Sequence, residues 1–346
     1  MAALTNRAVW QDACGVPSVV RDNSLPTNDE LGEHEVLIKV HSWAINPCDY
    51  MLQDRDMIKY PVILGCDVSG TVEAVVPGSI AASQFQVGDR VFGFTANRGF
   101  QDYVVLEDKL MAKIPGDMAY SEAVVLGLCS ATSSMLLFGK DYLHLDYPKK
   151  DVPKKGKSVL IWGGSSAVGS AAIQLAKGGG YDVIATCSKK NFDYVKGLGA
   201  VQVFDYKHPN VTEEIATELD KGACAGIFMA AGLKIGNIAA FNVAAASKQK
   251  ISFVSSNLID NIDDVPEGVD VKQPTVEDFK PIPECWFETI LATFGEYLPE
   301  ALANGTYKVA PPPMVVNRRG LEGIQEAIDR MKEDKISPIK LVVERP

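Results

Sequence analysis

Three small residues follow an apolar run and precede a helix-compatible run, in a spacing that suits phosphate binding. The apolar run is 159–162, and Gly164, Ser166 and Gly169 occupy the glycine positions of a G-x-G-x-x-G pattern, with serine in the middle. A buried strand that ends in a tight turn presents the free N–H groups and the positive dipole end of the next helix. These residues therefore predict a cradle for the pyrophosphate of a dinucleotide.

The end of the next apolar run, 182–187, indicates which dinucleotide is bound. The residues that follow it are Ser188, Lys189, Lys190 and Asn191. A chain that binds NAD usually has an Asp or Glu here for the ribose hydroxyls, whereas a serine hydroxyl and two ammonium groups attract a 2′-phosphate. The loop therefore favours NADPH as the cofactor. The alternative interpretation is a pair of solvated surface lysines.

Length and composition are those of an ordinary globular protein with room for two domains. The chain has 346 residues, of which 47% are hydrophobic and 23% charged. Its formal net charge of −10 argues against nucleic-acid binding. The basic stretch 148–157 is interpreted as a solvated connection, with nucleic-acid contact as the alternative.

The lack of an apolar signal sequence and the pattern of cysteines predict a cytoplasmic protein. The N-terminal residues form no apolar signal sequence, and no apolar run approaches the ~20 residues of a membrane span. The seven cysteines are scattered, odd in number and include no C-x-x-C pair. This pattern argues against disulfides and against a structural zinc knuckle.

The order of apolar runs divides the chain into two kinds of segment. Short β-type runs punctuated by turns are typical of a small β-barrel-like domain, and they lie at 36–43, 68–76, 89–94 and 101–106. Strands near 159–163, 182–187, 201–205, 225–230 and 250–255 then alternate with helices. Such alternation predicts an α/β fold with a doubly wound parallel sheet. An amphipathic helix at 321–332 and a strand at 340–344 are expected to return to the first domain.

This order, with several short motifs, resembles the medium-chain dehydrogenase/reductase superfamily over nearly the whole chain. The motifs lie at 46–50, 65–70, 87–93, 100–105 and 340–343. Within the superfamily, the stretches 163–169, 187–200 and 204–206 resemble fungal trans-acting enoyl reductases and quinone oxidoreductase-like proteins. The resemblance implies a GroES-like catalytic domain at 1–130, completed by 290–346, and a Rossmann NADPH-binding domain at 131–289.

The resemblance also implies roles for individual residues. The pyrophosphate turn is matched by Ser165, Ser166, Ala167 and Val168, the 2′-phosphate loop by Ser188, Lys189, Lys190 and Asn191, and the adenosine contact by Tyr206. The segment that touches the nicotinamide half is matched by Pro47, Cys48, Asp49 and Tyr50. The residues expected beside the substrate are Thr132, Ser133 and Met135.

The zinc ligands of the superfamily's alcohol dehydrogenases are only partly present. Cys48 matches the cysteine ligand, but the Gly-His-Glu run reads Gly65-Cys66-Asp67, and the four histidines show no ligand spacing. Cys48, Cys66 and Asp67 could in principle form a site, whereas small buried cysteines usually serve in packing. We therefore expect no metal.

Without a Lewis acid, the developing alkoxide of a reduced ketone lacks strong stabilisation. Hydride addition to the β-carbon of an enone or enoyl thioester spreads the negative charge into an enolate, which needs less stabilisation by the protein. The expected activity is therefore NADPH-dependent reduction of an activated C=C bond in a small or carrier-bound enoyl substrate, with a polyketide synthase as the partner in the carrier-bound case. The alternatives are a quinone oxidoreductase and a non-catalytic NADPH-binding protein.

The proton donor is the weakest point of the sequence prediction. Mitochondrial-type enoyl thioester reductases use a tyrosine about eleven residues after the asparagine matched by Asn46, and here that position is Met57. Tyr50 and Tyr60 are out of register. Tyr50 and Thr132 are the catalytic candidates, and packing is the alternative role for Tyr50. The sequence leaves open the substrate's chain length, the stereochemistry, the partner and the oligomeric state.

Two further segments bear on the substrate. The acidic segment 258–274 lacks a helical or strand period and is a candidate lid, with a solvated loop as the alternative. The apolar segment 286–294 predicts a helix, which is expected to pack in the core or to line an apolar pocket.

Overall fold

The structure is a computed structural model of the 346-residue chain, and it describes residues 5–232, 234–256, 265–274, 284–333 and 337–346. Two compact units divide it. The β-rich unit comprises Met1–Leu128, Leu298–Gly305 and Pro312–Pro346, and the parallel-sheet unit comprises Cys129–Tyr297 and Thr306–Pro311.

The described residues form the following elements. The strands are β1 Asn6–Gln11, β2 Val19–Asn23, β3 Glu35–Ala44, β4 Val62–Ile63, β5 Asp67–Val75, β6 Arg90–Phe94, β7 Tyr103–Glu107, β8 Met111–Lys113, β9 Lys157–Trp162, β10 Asp182–Cys187, β11 Ala200–Asp205, β12 Ala223–Met229, β13 Phe253–Ser255, β14 Val271–Lys272, β15 Pro313–Asn317 and β16 Lys340–Glu344. The helices are α1 Pro47–Asp54, α2 Tyr120–Ala123, α3 Gly127–Phe138, α4 Ala167–Gly178, α5 Phe192–Leu198, α6 Val211–Leu219, α7 Lys234–Ala246, α8 Glu284–Ile290, α9 Leu298–Ala303 and α10 Ile324–Glu333.

The β-rich unit is built on a sheet with the strand order β15-β16-β3-β5-β6-β8, in which β7 also pairs with β3. A second sheet has the order β2-β1-β4. Val36, Ile38 and Val40 alternate along β3 and share one core, because successive strand residues point to opposite faces. The predicted strands at 36–43, 68–76, 89–94 and 101–106 are confirmed as β3, β5, β6 and β7.

The returning tail of the chain is also confirmed. In α10, Ile324, Ala327 and Ile328 are spaced for one helical face and are fully buried in the core of the β-rich unit. β16 lies between β15 and β3, parallel to the first and antiparallel to the second, with Val342 opposite Ala44. The end of the chain therefore supplies an interior strand of this sheet.

The parallel-sheet unit contains six strands in the order β11-β10-β9-β12-β13-β14, and every pairing is parallel. In β9, the consecutive residues Val159, Leu160 and Ile161 are all fully buried. A continuous apolar run of this kind is typical of a strand covered by helices on both faces. The predicted doubly wound α/β fold is confirmed.

The candidate lid at 258–274 is partly corrected. Its residues 258–264 lie outside the described residues. Its last part contains β14, which pairs with β13 through Phe253 and Val271. Two residues are too few to show a period in the sequence, so this edge strand was missed. The apolar segment 286–294 is helical as predicted, with α8 followed by a π-helical stretch, Leu291–Tyr297, and with Ile290 and Phe294 in the core.

One helical run corrects the expectation that no apolar run reaches membrane-spanning length. Tyr120–Phe138 is long and apolar enough to cross a membrane, but 83% of its most apolar stretch is buried inside the protein. Such burial is typical of a core helix. The run was missed because serine and threonine interrupt its apolar residues.

Candidate functional site

The glycine turn after β9 is held in place by the neighbouring strand β10. The Gly163 N–H donates to Thr186 Oγ1 at 3.0 Å, and the Gly164 N–H donates to the Thr186 carbonyl at 2.8 Å. Gly163 has a φ of +86°, which glycine adopts without strain. A single threonine of β10 therefore fixes the exit from β9.

Close backbone approach explains Gly169 of the motif and also Gly163, which directly precedes the motif. A Cβ at Gly169 would overlap the Gly163 carbonyl oxygen, and a Cβ at Gly163 would lie 2.9 Å from the Ala231 carbonyl oxygen. Ser166, at the middle glycine position, has a different role. It is the N-cap of α4, with Oγ accepting from the Gly169 N–H at 3.0 Å and donating to the Gly163 carbonyl at 2.9 Å. The serine therefore orients the helix start.

Ala167 and Val168 are the first two residues of α4, and both are half-buried. The first N–H groups of a helix have no acceptor within the helix, so they favour an anion. Ser165 is buried beside them. The turn thus has the close-packed glycines and the capped helix start that a pyrophosphate needs, and the residues fit the dinucleotide predicted from the sequence.

The predicted 2′-phosphate loop brings together residues from the ends of β10 and β11. Ser188 Oγ lies 3.1 Å from Tyr206 Oη, while Lys189 and Lys190 are exposed. Asn191 is buried. The structure adds Lys207, which the sequence analysis missed: its Nζ lies 5.7 Å from the centre of the Tyr206 ring. Its position directly after Tyr206 was the available signal.

A carboxylate also lies near this loop, on the neighbouring strand. Asp205 is in register with Cys187 at the ends of β11 and β10. Burial, and then the charge of Asp205, raise the pKa of Cys187 to about 12. Asp205 accepts from the Lys207 N–H at 3.0 Å, so its carboxylate stabilises its own turn.

The three predicted substrate residues lie on α3 and differ in exposure. Thr132 is half-buried. Ser133 is fully buried and donates to the Val168 carbonyl at 2.8 Å, which ties α3 to the start of α4. Met135 is almost fully buried. Only the Thr132 hydroxyl is partly accessible among the three, and all three substrate roles stay predictions.

The segment 46–50 forms the first turn of α1 in the β-rich unit. Pro47 is the first helical residue, and the Asn46 N–H donates to Asp49 Oδ2 at 2.7 Å. The Asp49 side chain is fully buried, so its contacts are structural, whereas Pro47 is exposed and Cys48 half-buried. Their predicted contact with the nicotinamide half stays a prediction.

The two tyrosines near this turn have different environments. Tyr50 is half-buried and packs against the core of the β-rich unit. The Tyr60 hydroxyl donates to the carbonyls of Leu52, at 2.7 Å, and Arg55, at 3.2 Å, at the end of α1. Tyr60 therefore closes the helix, and Tyr50 stays the tyrosine candidate for the proton donor.

A buried ion pair connects β16 to β5 beside this turn. Lys340 Nζ lies 3.0 Å from Asp67 Oδ2, with 3% and 0% of the side chains exposed, and it also donates to Asn46 Oδ1. Asn46 Nδ2 donates to Asp67 Oδ2 at 2.9 Å, and the Leu128 N–H donates to Asp67 Oδ1 at 2.5 Å. A buried pair persists only when its remaining polar atoms are satisfied, as they are for Asp67.

Asp49 is the unusual titrating group of this cluster. Burial, opposed by the Asn46 N–H and the Lys340 charge, raises the pKa of Asp49 to about 7. Its Oδ1 is buried and has no hydrogen-bond partner. Neighbouring Cys48 Sγ lies 4.0 Å from Cys66 Sγ, and this contact, followed by burial, raises the pKa of Cys48 well above its ordinary value.

Comparison with known proteins identifies the family. The model of the alcohol dehydrogenase GroES-like domain matches residues 32–117, and the zinc-binding dehydrogenase model matches residues 167–259. Dehydrogenase azaJ of Aspergillus niger is 38% identical over 350 residues, which cover 95% of each chain. Trans-enoyl reductase himH of Aspergillus japonicus is 34% identical over 99% of this chain and 98% of the relative. The chain belongs to the medium-chain dehydrogenase/reductase superfamily.

Solved structures share the superfamily fold. The CurK enoyl reductase has a TM-score of 0.76 at 21% identity and covers 99% of both chains. A mycobacterial protein complexed with NADPH, Rv1454c, has a TM-score of 0.70 at 23% identity, covering 98% of this chain and 99% of that one. The protein is thus an oxidoreductase of the superfamily, with a GroES-like domain and an NAD(P)-binding dehydrogenase fold.

Because one family model carries zinc in its name, the ligand set needs a test. Among the described residues, ligand atoms of Cys48, Asp49 and Cys66 lie within 4.8 Å of one another. The Asp67 carboxylate, which belongs to the alternative zinc set with Cys48 and Cys66, is held by Lys340 and its neighbours in a structural hydrogen-bonding role. Two thiols and a carboxylate fit zinc, which they would hold as a Lewis acid for a substrate oxygen. The expected absence of a metal stays a prediction.

Proposed function

We propose that the protein is an NADPH-dependent, metal-independent reductase of activated C=C bonds, acting on a small or carrier-bound enoyl group. The observation that carries the choice of cofactor is the cluster of Ser188, Lys189, Lys190 and Tyr206 at the ends of β10 and β11. A hydroxyl pair beside two exposed ammonium groups suits a 2′-phosphate. The relatives named trans-enoyl reductase support the choice of reaction.

NADPH, when bound, would supply the hydride. The chain's own residues would bind and orient it: the α4 N–H groups of Ala167 and Val168 hold the pyrophosphate, and the Ser166 cap fixes the helix start. Ser133 holds α3 against the same helix through the Val168 carbonyl. Thr132, on α3, would therefore be kept at a constant position to hydrogen-bond the substrate oxygen.

We propose a conjugated substrate because the polar groups proposed to contact it are hydroxyls, which are weaker stabilisers of a negative oxygen than a Lewis acid. An enolate oxygen needs one or two hydrogen bonds, which a hydroxyl such as that of Thr132 can donate. The α-carbon then takes a proton from Tyr50 or from water. No step in this scheme needs a Lewis acid. The buried Lys340 ammonium is committed to Asp67 and Asn46 and serves to hold the first turn of α1.

The deciding experiment compares NADPH oxidation with an enoyl thioester and with a quinone at matched concentrations. Turnover of the enoyl thioester, with NADH much less effective, is the expected result. Strong turnover of the quinone alone would identify a quinone oxidoreductase instead. Tight NADPH binding without turnover of either acceptor would indicate a non-catalytic NADPH-binding protein.

The cellular setting is part of the proposal. A trans-acting reductase in the cytoplasm would receive its enoyl chain from a carrier domain of a polyketide synthase, and the relatives named trans-enoyl reductase support the trans-acting reaction. The net charge of −10 gives no reason to expect a nucleic-acid partner.

A further inference from the structure

Two cysteines from separate elements of the β-rich unit face each other at short range. Cys48 lies in the first turn of α1, and Cys66 directly precedes β5. Their sulfur atoms are 4.0 Å apart, although the residues are 18 positions apart in the chain. A disulfide has an S–S distance of about 2.0 Å, so the sulfurs need to approach by roughly 2 Å. Rotation of the two side chains supplies a movement of this size.

The two thiols differ in access, as an oxidised and a resolving cysteine do. Cys48 is half-buried, whereas Cys66 has only 5% of its surface exposed. A small oxidant therefore reaches Cys48 first.

We propose that Cys48 and Cys66 form a reversible intramolecular disulfide when the protein meets a peroxide. In the first step the Cys48 sulfur attacks hydrogen peroxide, its O–O bond breaks, and Cys48 becomes a sulfenic acid with release of water. In the second step the Cys66 sulfur attacks the Cys48 sulfur, the S–O bond breaks, and a second water leaves. Two thiols are thereby oxidised by two electrons, and a dithiol reductant reverses the change.

The disulfide would join the first turn of α1 to the start of β5. This turn contains Pro47 and Tyr50, which the proposed function places at the nicotinamide half and at the proton donor. The expected consequence is a loss of NADPH-dependent turnover that dithiothreitol restores. This consequence rests on the proposed function, whereas formation of the disulfide does not.

The direct test is a peptide map of the full-length protein treated with hydrogen peroxide and digested without reduction. We expect a peptide pair linked through Cys48 and Cys66, loss of two alkylatable thiols, and recovery of both after dithiothreitol. In Cys66→Ser, Cys48 should accumulate as a sulfenic acid that dimedone traps. Cys14→Ser, which removes an exposed cysteine, is the matched control and should still form the link.

The wild-type map decides the question even if a variant does not fold. Full alkylation of Cys48 and Cys66 after peroxide treatment would overturn the proposal, and so would linkage of Cys48 to Cys14 instead of Cys66. Stoichiometric zinc that stays bound and protects both thiols would overturn it as well. A linked protein with unchanged turnover would refute only the proposed effect on catalysis, and a reduced protein without any turnover would count against the proposed function alone.

Discussion

The lysine pair after β10 shows what a single position in the fold can determine. Lys189 and Lys190 are exposed, and their own contacts do not distinguish them from other surface lysines. Their place matters because Ser188 and Tyr206 lie together beside them. The sequence showed the charges and their position after the second strand. The sequence analysis did not include Lys207, although its position directly after Tyr206 was a signal that its ammonium could lie near the Tyr206 ring.

Replacing both Lys189 and Lys190 with alanine should raise the KM for NADPH about tenfold or more and leave the KM for NADH nearly unchanged. A charge-assisted hydrogen bond is worth about 1.5–3 kcal/mol, and about 1.4 kcal/mol corresponds to a factor of ten. Steady-state kinetics with both cofactors measures the ratio. Lys221→Ala is the control, because Lys221 is an exposed lysine that lies just before the start of β12 and away from the loop. Equal effects on the two cofactors would contradict the assignment of the loop.

The buried carboxyl of Asp49 should make stability depend on pH. Its pKa is about 7 in the folded protein and 3.8 in a model peptide, so the folded state holds the proton more tightly. Stability from this group is therefore complete below pH 3.8 and is lost as the pH rises through about 7. At about 1.4 kcal/mol per pKa unit, the loss is on the order of a few kcal/mol.

Asp49→Asn keeps a neutral side chain at every pH and should flatten the decline of the melting temperature between mildly acidic and neutral pH. Thermal unfolding of both proteins across that range measures the difference. Asp29→Asn changes an exposed carboxyl and should leave the wild-type slope intact. If Asp49→Asn retains that slope, another group is responsible.

At the scale of elements, the motif after β9 was read correctly as a strand, a turn and a helix. The sequence also suggested an imperfect glycine motif, and the structure explains the imperfection. Ser166 caps α4 at the middle glycine position, whereas Gly169 at the last position, and Gly163 just before the motif, lie where a Cβ would meet backbone atoms. The sequence pattern alone could not separate these two uses of a small residue.

Replacing Ala167 with leucine should abolish measurable NADPH binding while the protein stays folded. Ala167 is half-buried at the first position of α4, so a larger side chain would fill space next to the N–H groups without entering the core. Calorimetric titration with NADPH measures the loss, and circular dichroism checks the fold. Ala245→Leu, at an exposed position of α7, is the matched control. Unchanged affinity in Ala167→Leu would contradict the proposed pyrophosphate site.

Sequence reasoning did not predict β1, β2 and β15, which have five or six residues each, and it also missed elements with too few residues to show a pattern. β4 and β14 have two residues each, and β8 has three. Their pairing depends on the neighbouring strand rather than on their own composition. Longer runs such as β3 and β9 were found because their buried residues show a clear alternation or a continuous apolar stretch. The sequence placed Cys48 and Cys66 in one possible site, but it could not give their 4.0 Å separation, since that depends on how α1 meets β5.

At the scale of the whole molecule, the order of segments predicts the fold class, and this order together with several short motifs resembles the superfamily. Few folds share this pattern, in which a run of strands is followed by alternating strands and helices and the tail returns to the first unit. The residues that carry the chemistry were harder to predict from the sequence. Asp67 entered the alternative zinc set only because it follows Cys66, and the structure commits its carboxylate to Lys340 from a distant part of the chain.

Treatment with a chelator should leave NADPH-dependent reduction of an enoyl substrate unchanged, because no step of the proposed reaction needs a Lewis acid. Metal analysis of the purified protein before and after treatment accompanies the activity assay. Activity that disappears with the chelator and returns with added zinc would show that Cys48, Asp49 and Cys66 hold a functional ion.

The place of β16 in the sheet has a consequence for synthesis of the protein. As the nascent chain leaves the ribosome, β3 emerges early, but its neighbour β16 is translated only after the entire parallel-sheet unit. Until then, Asp67 lacks the ammonium group that neutralises it, and residues 42–44 of β3 lack their partner strand on one side. The β-rich unit must therefore wait, incompletely folded, for its closing strand. We therefore expect truncation before residue 340 to prevent the β-rich unit from folding completely, and we expect the nascent chain to depend on chaperones until that point.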